Sequence, residues 1–248
     1  MRILSWNIAC LPGKINIVGN PNKRLPLILQ QITNIQPDIV CLQEVFCFQV
    51  LKNLKTSLKA LGFDIHHTPT RGLISQNGLL TATKFPILET HQIDYSIYTG
   101  AEYLIKKGLL TSYVSTPYGP LIVHNTHLQS NSIYTWDKKC TEVRQKQKKE
   151  VLKQISSHSN YTTLLCGDLN DDFDSSEHHN FLHQLPFKNY TSNPQKLITF
   201  PKHQKQLDYI ILNCKNPTNF YTLPHYPIQT SDHYRLIAEI TNPESLHF

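Results

Sequence analysis

The chain of 248 residues fits one large domain, near the upper limit of what a single hydrophobic core supports. Its apolar content of 40% is typical of a soluble globular protein, and no apolar run approaches the roughly 20 residues of a transmembrane segment. The formal net charge of +6 favours an anionic partner, whether nucleic acid, phospholipid headgroup or phosphorylated metabolite, without choosing among them.

The first quarter of the chain alternates strands with helices. Residues 3–8 predict a strand, and apolar residues within 25–32 recur at helical spacing, with Pro26 in the first turn of that helix. Residues 39–42 predict a second strand. Leucines three and four positions apart within 51–61 predict a second helix.

The remaining chain contains more strands than helices. Strands are predicted at 78–83, 109–115, 120–126, 161–166, 207–212 and 236–240. Helices are predicted near 141–156 and 177–185, and loops at 193–205 and 216–230. This excess of strands predicts an α/β fold of two packed mixed β-sheets flanked by helices. Because no repeat or linker divides the chain, we predict a single domain over residues 1–248.

Two polar helical segments are expected to face solvent. Residues 138–153 carry seven lysine and arginine side chains beside a stripe of apolar residues, which is typical of an amphipathic helix with a solvated outer face. A groove that tracks phosphates is the alternative interpretation of these charges. The histidines His178, His179 and His183 lie in a second polar helix, and their spacing indicates exposure rather than a metal site.

Cysteine usage and the amino terminus predict a location. The six cysteines show no paired zinc-ligand spacing, and Cys41 and Cys166 lie within apolar strands, so we expect free thiols in a reducing compartment. A strand that begins almost at Met1 leaves no room for a signal peptide. We therefore expect a cytoplasmic monomer, or a secreted protein if a leader has been removed.

Polar residues end or open the predicted strands, in six short clusters. The residues concerned are Asn7, Glu44, His127, Asp168 with Asn170, Asp208, and Asp232 with His233. One such cluster is usually a cap or a turn, but six at strand ends predict a site along one edge of a packed sheet.

The oxygen donors in these clusters suit a hard metal ion. A phosphodiester is anionic and resists attack, so its hydrolysis needs a cation on the phosphoryl oxygens and a base for water. Glu44, Asp232 and Asn7 are the predicted metal ligands, and Glu44 is the first of them because it ends a strand that is predicted to be buried. Such ligands predict Mg²⁺, or Mn²⁺, rather than zinc.

Two histidines are candidates for proton transfer. His233 is the predicted general base, and Asp208 is the carboxylate expected to fix its tautomer. His127 is expected to donate to a phosphate oxygen or to the leaving group.

At these motifs the chain resembles the endonuclease/exonuclease/phosphatase superfamily. The motifs are Leu4-Ser5-Trp6-Asn7, Leu42-Gln43-Glu44-Val45, Asn125-Thr126-His127, Gly167-Asp168-Leu169-Asn170, Leu207-Asp208-Tyr209 and Ser231-Asp232-His233. The resemblance implies a four-layer α/β sandwich and Mg²⁺-dependent hydrolysis. It also implies that Asp168 and Asn170 orient water and phosphate, and that His127 contacts the scissile phosphate.

Within this superfamily, residues 125–129 and Arg144 with Gln147 are similar to the neutral sphingomyelinase branch. That similarity implies headgroup release from a phospholipid, and it makes Glu102 the candidate partner of His127. A nuclease is the alternative that the positive charge favours, and a non-catalytic binding module on the same fold is a third. Aromatic residues expected either as interfacial anchors or in ordinary packing are Tyr134, Trp136, Phe220, Tyr221 and Tyr226.

Overall fold

The computed structural model describes residues 1–11, 18–71, 74–103, 105–131, 137–158, 161–187, 189–213, 218–224 and 229–241. Four α-helices lie in this part of the chain: α1 (Pro21–Ile35), α2 (Phe48–Ala60), α3 (Asp137–Ser156) and α4 (Ser176–His183). The strands are β1 (Arg2–Cys10), β2 (Ile39–Val45), β3 (Asp64–His67), β4 (Thr70–Arg71), β5 (Ile74–Ser75), β6 (Leu80–Thr83), β7 (Ile87–Asp94), β8 (Gly108–Thr116), β9 (Gly119–His127), β10 (Thr162–Asp168), β11 (Asp208–Leu212), β12 (Thr218–Leu223) and β13 (Arg235–Ile240).

Two mixed β-sheets form the centre of the fold. The first has the strand order β12-β13-β1-β2-β6-β3, and the second has the order β11-β10-β9-β8-β7. Each contains one parallel pair, β1 with β2 and β9 with β10, among antiparallel neighbours. The short β4-β5 hairpin stands apart from both. The predicted α/β class with two mixed sheets is therefore confirmed.

Three apolar clusters hold four layers together. Ile39, Val123 and Leu164 belong to the cluster between the two sheets. The outer face of the first sheet packs against α1 and α2, and that of the second packs against α3 and α4. Because the two strands that carry Glu44 and Asp168 are buried on both faces, their ends are fixed from both sides.

Helix α1 begins one turn earlier than the sequence predicts. Pro21 stands in its first turn, where proline's missing N–H costs no helical hydrogen bond, and Asn20 caps the helix by accepting from the Asn22 N–H at 2.9 Å. Pro26 consequently lies inside the helix rather than in its first turn.

The predicted loop at 216–230 was partly wrong, since β12 occupies Thr218–Leu223 at the edge of the first sheet. Among the described strands it pairs with β13 alone, and its residues are partly buried or exposed, which explains why no apolar run in the sequence predicted it. Phe220 and Tyr221 of this strand pack against the apolar clusters. Of the two interpretations of these residues, the structure therefore supports ordinary packing rather than a role as interfacial anchors. Residues Tyr134, Trp136 and Tyr226 lie outside the described part of the chain.

Five cysteines lie in the described residues, and all five are free, as expected; Cys214 lies outside that part of the chain. Among the described helices, none combines the length and the hydropathy that crossing a bilayer requires.

Candidate active site

The predicted site residues meet where strands of both sheets end. In the first sheet, β1 and β2 run parallel and bring Asn7 beside the Gln43–Glu44 pair. In the second, Asp168 lies opposite His127 on one side and opposite Asp208 on the other. The site thus lies at the edges of two facing sheets rather than along one sheet. The distance between the two sheets therefore determines which side chains come into contact.

Two features of the backbone hold Asp168 against His127. Gly167 has φ 146°, and a Cβ added there would stand 1.9 Å from the Thr126 carbonyl oxygen, so only glycine allows this close strand contact. One residue after Leu169, Asn170 takes φ 53° and donates its backbone N–H to Asp168 Oδ1 at 2.9 Å. This turn directs the other carboxylate oxygen of Asp168 into the site.

Asp168 is the central acceptor of the site. Its Oδ2 accepts from Asn7 Nδ2 at 3.0 Å and lies 3.4 Å from His127 Nε2 and 3.8 Å from His233 Nε2. Burial, followed by repulsion from the Asp208 carboxylate, raises the pKa of Asp168 to about 7. A carboxylate kept at this cost in the interior is typical of a functional site.

Glu44 ends β2 in a strained conformation. Its φ of 58° lies in the left-handed region, which a glutamate seldom adopts, and its side chain remains 19% exposed to the cleft. Oε1 accepts from Asn7 Nδ2 at 3.1 Å and lies 3.9 Å from His127 Nε2. Burial and the neighbouring Asp232 carboxylate raise the pKa of Glu44, because two negative charges repel each other there.

His233 and Asp208 form a close pair. His233 Nδ1 lies 2.7 Å from Asp208 Oδ2, while its backbone N–H donates to Ser231 Oγ and its carbonyl accepts from the Trp6 indole N–H. Burial disfavours the imidazolium, but the carboxylates of Asp208, Asp168 and Asp232 outweigh burial and raise the pKa of His233 to about 10. The pair matches the predicted orientation of His233 by Asp208.

His127 contacts a lysine that the sequence did not single out for the site. Lys107 Nζ lies 2.8 Å from His127 Nε2, 2.7 Å from the Leu128 carbonyl and 2.8 Å from Glu102 Oε1. An ammonium group can only donate, so Nε2 of His127 is unprotonated and Nδ1 carries the proton. Burial, followed by the Lys107 and His233 charges, holds the pKa of His127 well below its usual value.

The prediction that Glu102 is the direct partner of His127 is therefore wrong. Glu102 instead binds Lys107 and accepts from the Ser130 backbone N–H and hydroxyl at 2.9 and 2.6 Å. The ammonium of Lys107 stands between the two groups and occupies the position that a histidine partner would take.

Two of the segments predicted to be exposed contain buried groups. Arg144 of α3 is buried and forms two hydrogen bonds with Glu177, and Lys148 of the same helix binds Asp171 and Glu177. His178 is also buried and stacks on Tyr209 at 4.1 Å, whereas His179 and His183 are exposed as predicted. Pairing with carboxylates explains how these cations lie inside the molecule.

The acidic residues fit a divalent cation. Glu44, Asp168 and Asp232 are oxygen donors that line one cleft of about 680 Å³, and the pKa of both Glu44 and Asp168 is raised by burial and by neighbouring carboxylates. Donor atoms of Asp168, Asp208 and His233 also lie within 4.8 Å of one another. In this second set, Asp208 and His233 are already hydrogen-bonded to each other. The carboxylates of Glu44, Asp168 and Asp232 are therefore the better match for Mg²⁺.

Asn7 occupies the predicted place but turns its NH₂ toward the carboxylates. Its amide oxygen accepts from the Ala9 N–H at 3.0 Å, and its nitrogen donates to Glu44 and Asp168. The role of Asn7 as a metal ligand remains a prediction, and that of Asp232, which lines the cleft, does also.

A four-layer α/β sandwich with acidic and imidazole groups at its strand ends defines a class of phosphoester-cleaving proteins. The family model described as Endonuclease/Exonuclease/phosphatase family matches residues 4–233, and the chain belongs to that family. No curated protein matches the chain significantly in sequence.

Three solved structures illustrate the fold that this chain shares with known proteins. Sphingomyelinase C from Streptomyces griseocarneus is 18% identical, with a TM-score of 0.77 and coverage of 96% of this chain and 98% of that one. A Staphylococcus aureus beta toxin variant with bound magnesium ions is 19% identical, with a TM-score of 0.79 and coverage of 97% and 99%. D. rerio TDP2 complexed with a single-strand DNA product is 19% identical, with a TM-score of 0.72 and coverage of 96% and 97%.

Proposed function

We propose that this protein is a Mg²⁺-dependent phosphodiesterase that hydrolyses phosphoester bonds by in-line attack of water. The observation that carries the proposal is the convergence of Glu44, Asp168 and the Asp208–His233 pair on one cleft. Membership of the endonuclease/exonuclease/phosphatase family and likeness to a structure that binds magnesium support it.

The metal would be held by Glu44, with Asn7 and Asp232 beside it. When bound there, Mg²⁺ neutralises the phosphoryl oxygens and the carboxylates around His233, which lowers the pKa of that imidazole. Asp168 contributes the acceptor that Asn7 and the Asn170 backbone hold in place.

His233 is the proposed general base. Its Nδ1–H donates to Asp208, which fixes the tautomer and leaves Nε2 facing the Asp168 side of the cleft. Asn170 is proposed to contact the phosphate directly, and His127 to contact it through the Lys107 ammonium group that it binds. Because Lys107 donates to His127 Nε2, the positive charge at this position comes from Lys107 rather than from the imidazole.

The first proposed substrate is a phospholipid of the sphingomyelin type, with release of the headgroup. Its support is the similarity of residues 125–129 to the neutral sphingomyelinase branch, together with the fold shared with sphingomyelinase C. Nucleic acid is the second candidate. The fold shared with TDP2 favours it, and so does Lys205, a lysine in the cleft wall that has no carboxylate partner among the described residues.

A parallel assay tests both candidates. Purified protein with Mg²⁺ is offered sphingomyelin vesicles and supercoiled plasmid, and the variant His233→Ala and chelator-treated protein serve as controls. Release of phosphocholine that requires His233 is the expected result. Nicked plasmid without phosphocholine release would replace the lipid by nucleic acid, and absence of turnover on either substrate would contradict the enzyme proposal.

A further inference from the structure

A short hairpin at residues 199–206 forms one wall of the catalytic cleft. Phe200, His203 and Lys205 of this hairpin line the same cleft as Glu44 and His233. The Phe200 ring lies 4.9 Å from the His233 ring and 5.4 Å from the His203 ring. The hairpin therefore contributes side chains beside the reacting groups, although no part of it belongs to the proposed metal and base machinery.

The hairpin is firmly held to that machinery. Phe200 and Lys205 exchange backbone hydrogen bonds of 2.9 and 3.2 Å, which close the turn. At its base, the buried Thr199 hydroxyl accepts from the Leu207 and Asp208 N–H groups, and the Thr199 carbonyl accepts from the Tyr234 N–H. The position of Lys205 is thus fixed relative to Asp208 and to the residue that follows His233.

Lys205 differs from the other cations near the cleft in having no counter-charge. Lys196 is paired with Asp172 and Asp174, and Arg144 is paired with Glu177. Within the described part of the chain, no carboxylate lies within 4.0 Å of the Lys205 ammonium group. A lysine that lines a cleft without a carboxylate partner among the described residues is available to an anion of the substrate.

We propose that Lys205, with His203 on the same cleft wall, binds a second phosphate group of the substrate that flanks the scissile phosphodiester, as in a nucleotide chain. The inference rests on the proposed phosphodiesterase function and narrows its substrate. A phosphate accepts charge-assisted hydrogen bonds from an ammonium group. A phosphocholine headgroup would instead bring a quaternary ammonium near Lys205, where like charges repel. This wall favours nucleic acid, whereas the motif at residues 125–129 favours the lipid, so a lipid substrate would leave Lys205 without this role.

Three soluble probes with one leaving group separate these flanking charges. Thymidine 5′-(p-nitrophenyl phosphate) has no further charge, its 3′-phosphorylated form adds a second phosphate, and p-nitrophenyl phosphocholine adds a quaternary ammonium. With Mg²⁺, the protein is expected to give a kcat/KM about tenfold higher on the 3′-phosphorylated probe than on the unphosphorylated one, the size of one charge-assisted hydrogen bond.

Substitutions on the hairpin test whether Lys205 causes the preference for the 3′-phosphorylated probe. Lys205→Met is expected to remove the tenfold ratio between the two thymidine probes, Lys205→Arg to retain most of it, and Lys205→Glu to shift preference toward the phosphocholine probe. Lys202→Met is the matched control, since Lys202 is exposed on the same turn and does not line the cleft. It should keep the wild-type ratio.

Binding of products gives a second measurement that is independent of turnover. Thymidine 3′,5′-bisphosphate should bind about tenfold more tightly than thymidine 5′-phosphate by calorimetry, and Lys205→Met should remove the difference. Equal treatment of the two thymidine probes by the active wild-type protein would overturn the flanking-phosphate site and leave the phosphodiesterase proposal standing. Absence of turnover on all three probes, with the difference in product binding still present, would contradict the phosphodiesterase proposal and leave the flanking-phosphate site standing.

Discussion

Strain in single residues is concentrated at the rim of the site. Ala9, Glu44 and Asn170 are three of the six described non-glycine residues with positive φ. Glu44 and Asn170 lie within strand-end motifs, and Ala9 lies two residues after Asn7. Such a conformation costs about 1–3 kcal/mol per residue and persists only where surrounding contacts impose it. Here the contacts are those of Asn7 and Asp168, so the strain places Glu44 and Asn170 where the chemistry needs them.

A single-atom exchange at Asp208 tests the proposed base. In Asp208→Asn, the side chain no longer accepts from the His233 Nδ1–H with a negative charge, and its NH₂ favours the wrong tautomer of the imidazole. We expect kcat to fall by about 10²- to 10⁴-fold on any phosphodiester that the wild type cleaves, with KM changed little.

The matched control is Asp174→Asn, an exposed carboxylate that pairs with Lys196. It should keep wild-type kcat. If Asp208→Asn turned over at the wild-type rate while remaining folded by circular dichroism, His233 would not be the base.

The sequence predicted most site residues and the pairing of Asp208 with His233, but not the contacts of His127. Glu44 and Asp168 were found because each lies at the end of a strong apolar strand, and His233 because it precedes one. Both are local patterns. Lys107 follows no such pattern, and only the approach of β8 and β9 makes it the neighbour of His127. A contact set by strand pairing has no counterpart in a motif, so the prediction of Glu102 for that place was wrong.

At the scale of elements, the exposure of side chains was harder to predict than the type of secondary structure. Helix α3 was predicted near its true position, yet its lysines were assigned to solvent as a group. Lys148 is buried because α4 and the loop after β10 bring Glu177 and Asp171 over it. Charge alone favours exposure of each such lysine, and only tertiary pairing reverses that preference for one of them.

Strand β9 carries a buried histidine whose titration should be visible in stability. Burial, followed by the nearby His158, lowers the pKa of His124 from its usual 6.5 to about 3. The folded state therefore holds His124 neutral, whereas the unfolded chain takes up a proton below pH 6.5. This contribution to stability is complete above pH 6.5 and is lost as pH falls toward 3.

His124→Gln should flatten the acid side of the stability profile. Between pH 6 and pH 4, the free energy of unfolding of the wild type should fall more steeply than that of the variant by about 1.4 kcal/mol per pH unit, measured by urea denaturation. His91→Gln, an exposed histidine on β7, should run parallel to the wild type. Parallel profiles for His124→Gln as well would place the proton elsewhere.

At the scale of the whole molecule, the site is a junction between two sheets. Asn125 of the second sheet donates to the Leu42 and Leu80 carbonyls of the first, and Gln43 donates back to Asn125 at 2.8 Å. These buried hydrogen bonds fix the separation of the sheets directly below Glu44 and Asp168. The geometry of the cleft that holds the proposed metal ligands therefore depends on both halves of the fold.

Binding of Mg²⁺ should consequently stabilise the whole protein and not only its site. At a concentration about one hundred times its Kd, a ligand of the folded state adds about 2.7 kcal/mol, which corresponds to a rise in Tm of about 5–10 °C for a chain of this size.

The raised pKa of Glu44 shows that its charge is unfavourable when no cation offsets it. Glu44→Gln should therefore have a higher Tm than the wild type in chelator, yet lose the rise that Mg²⁺ causes. Glu239→Gln, far from the site and paired with Arg2, should keep that rise. An equal Mg²⁺ shift in Glu44→Gln and in the wild type would mean that the ion binds elsewhere.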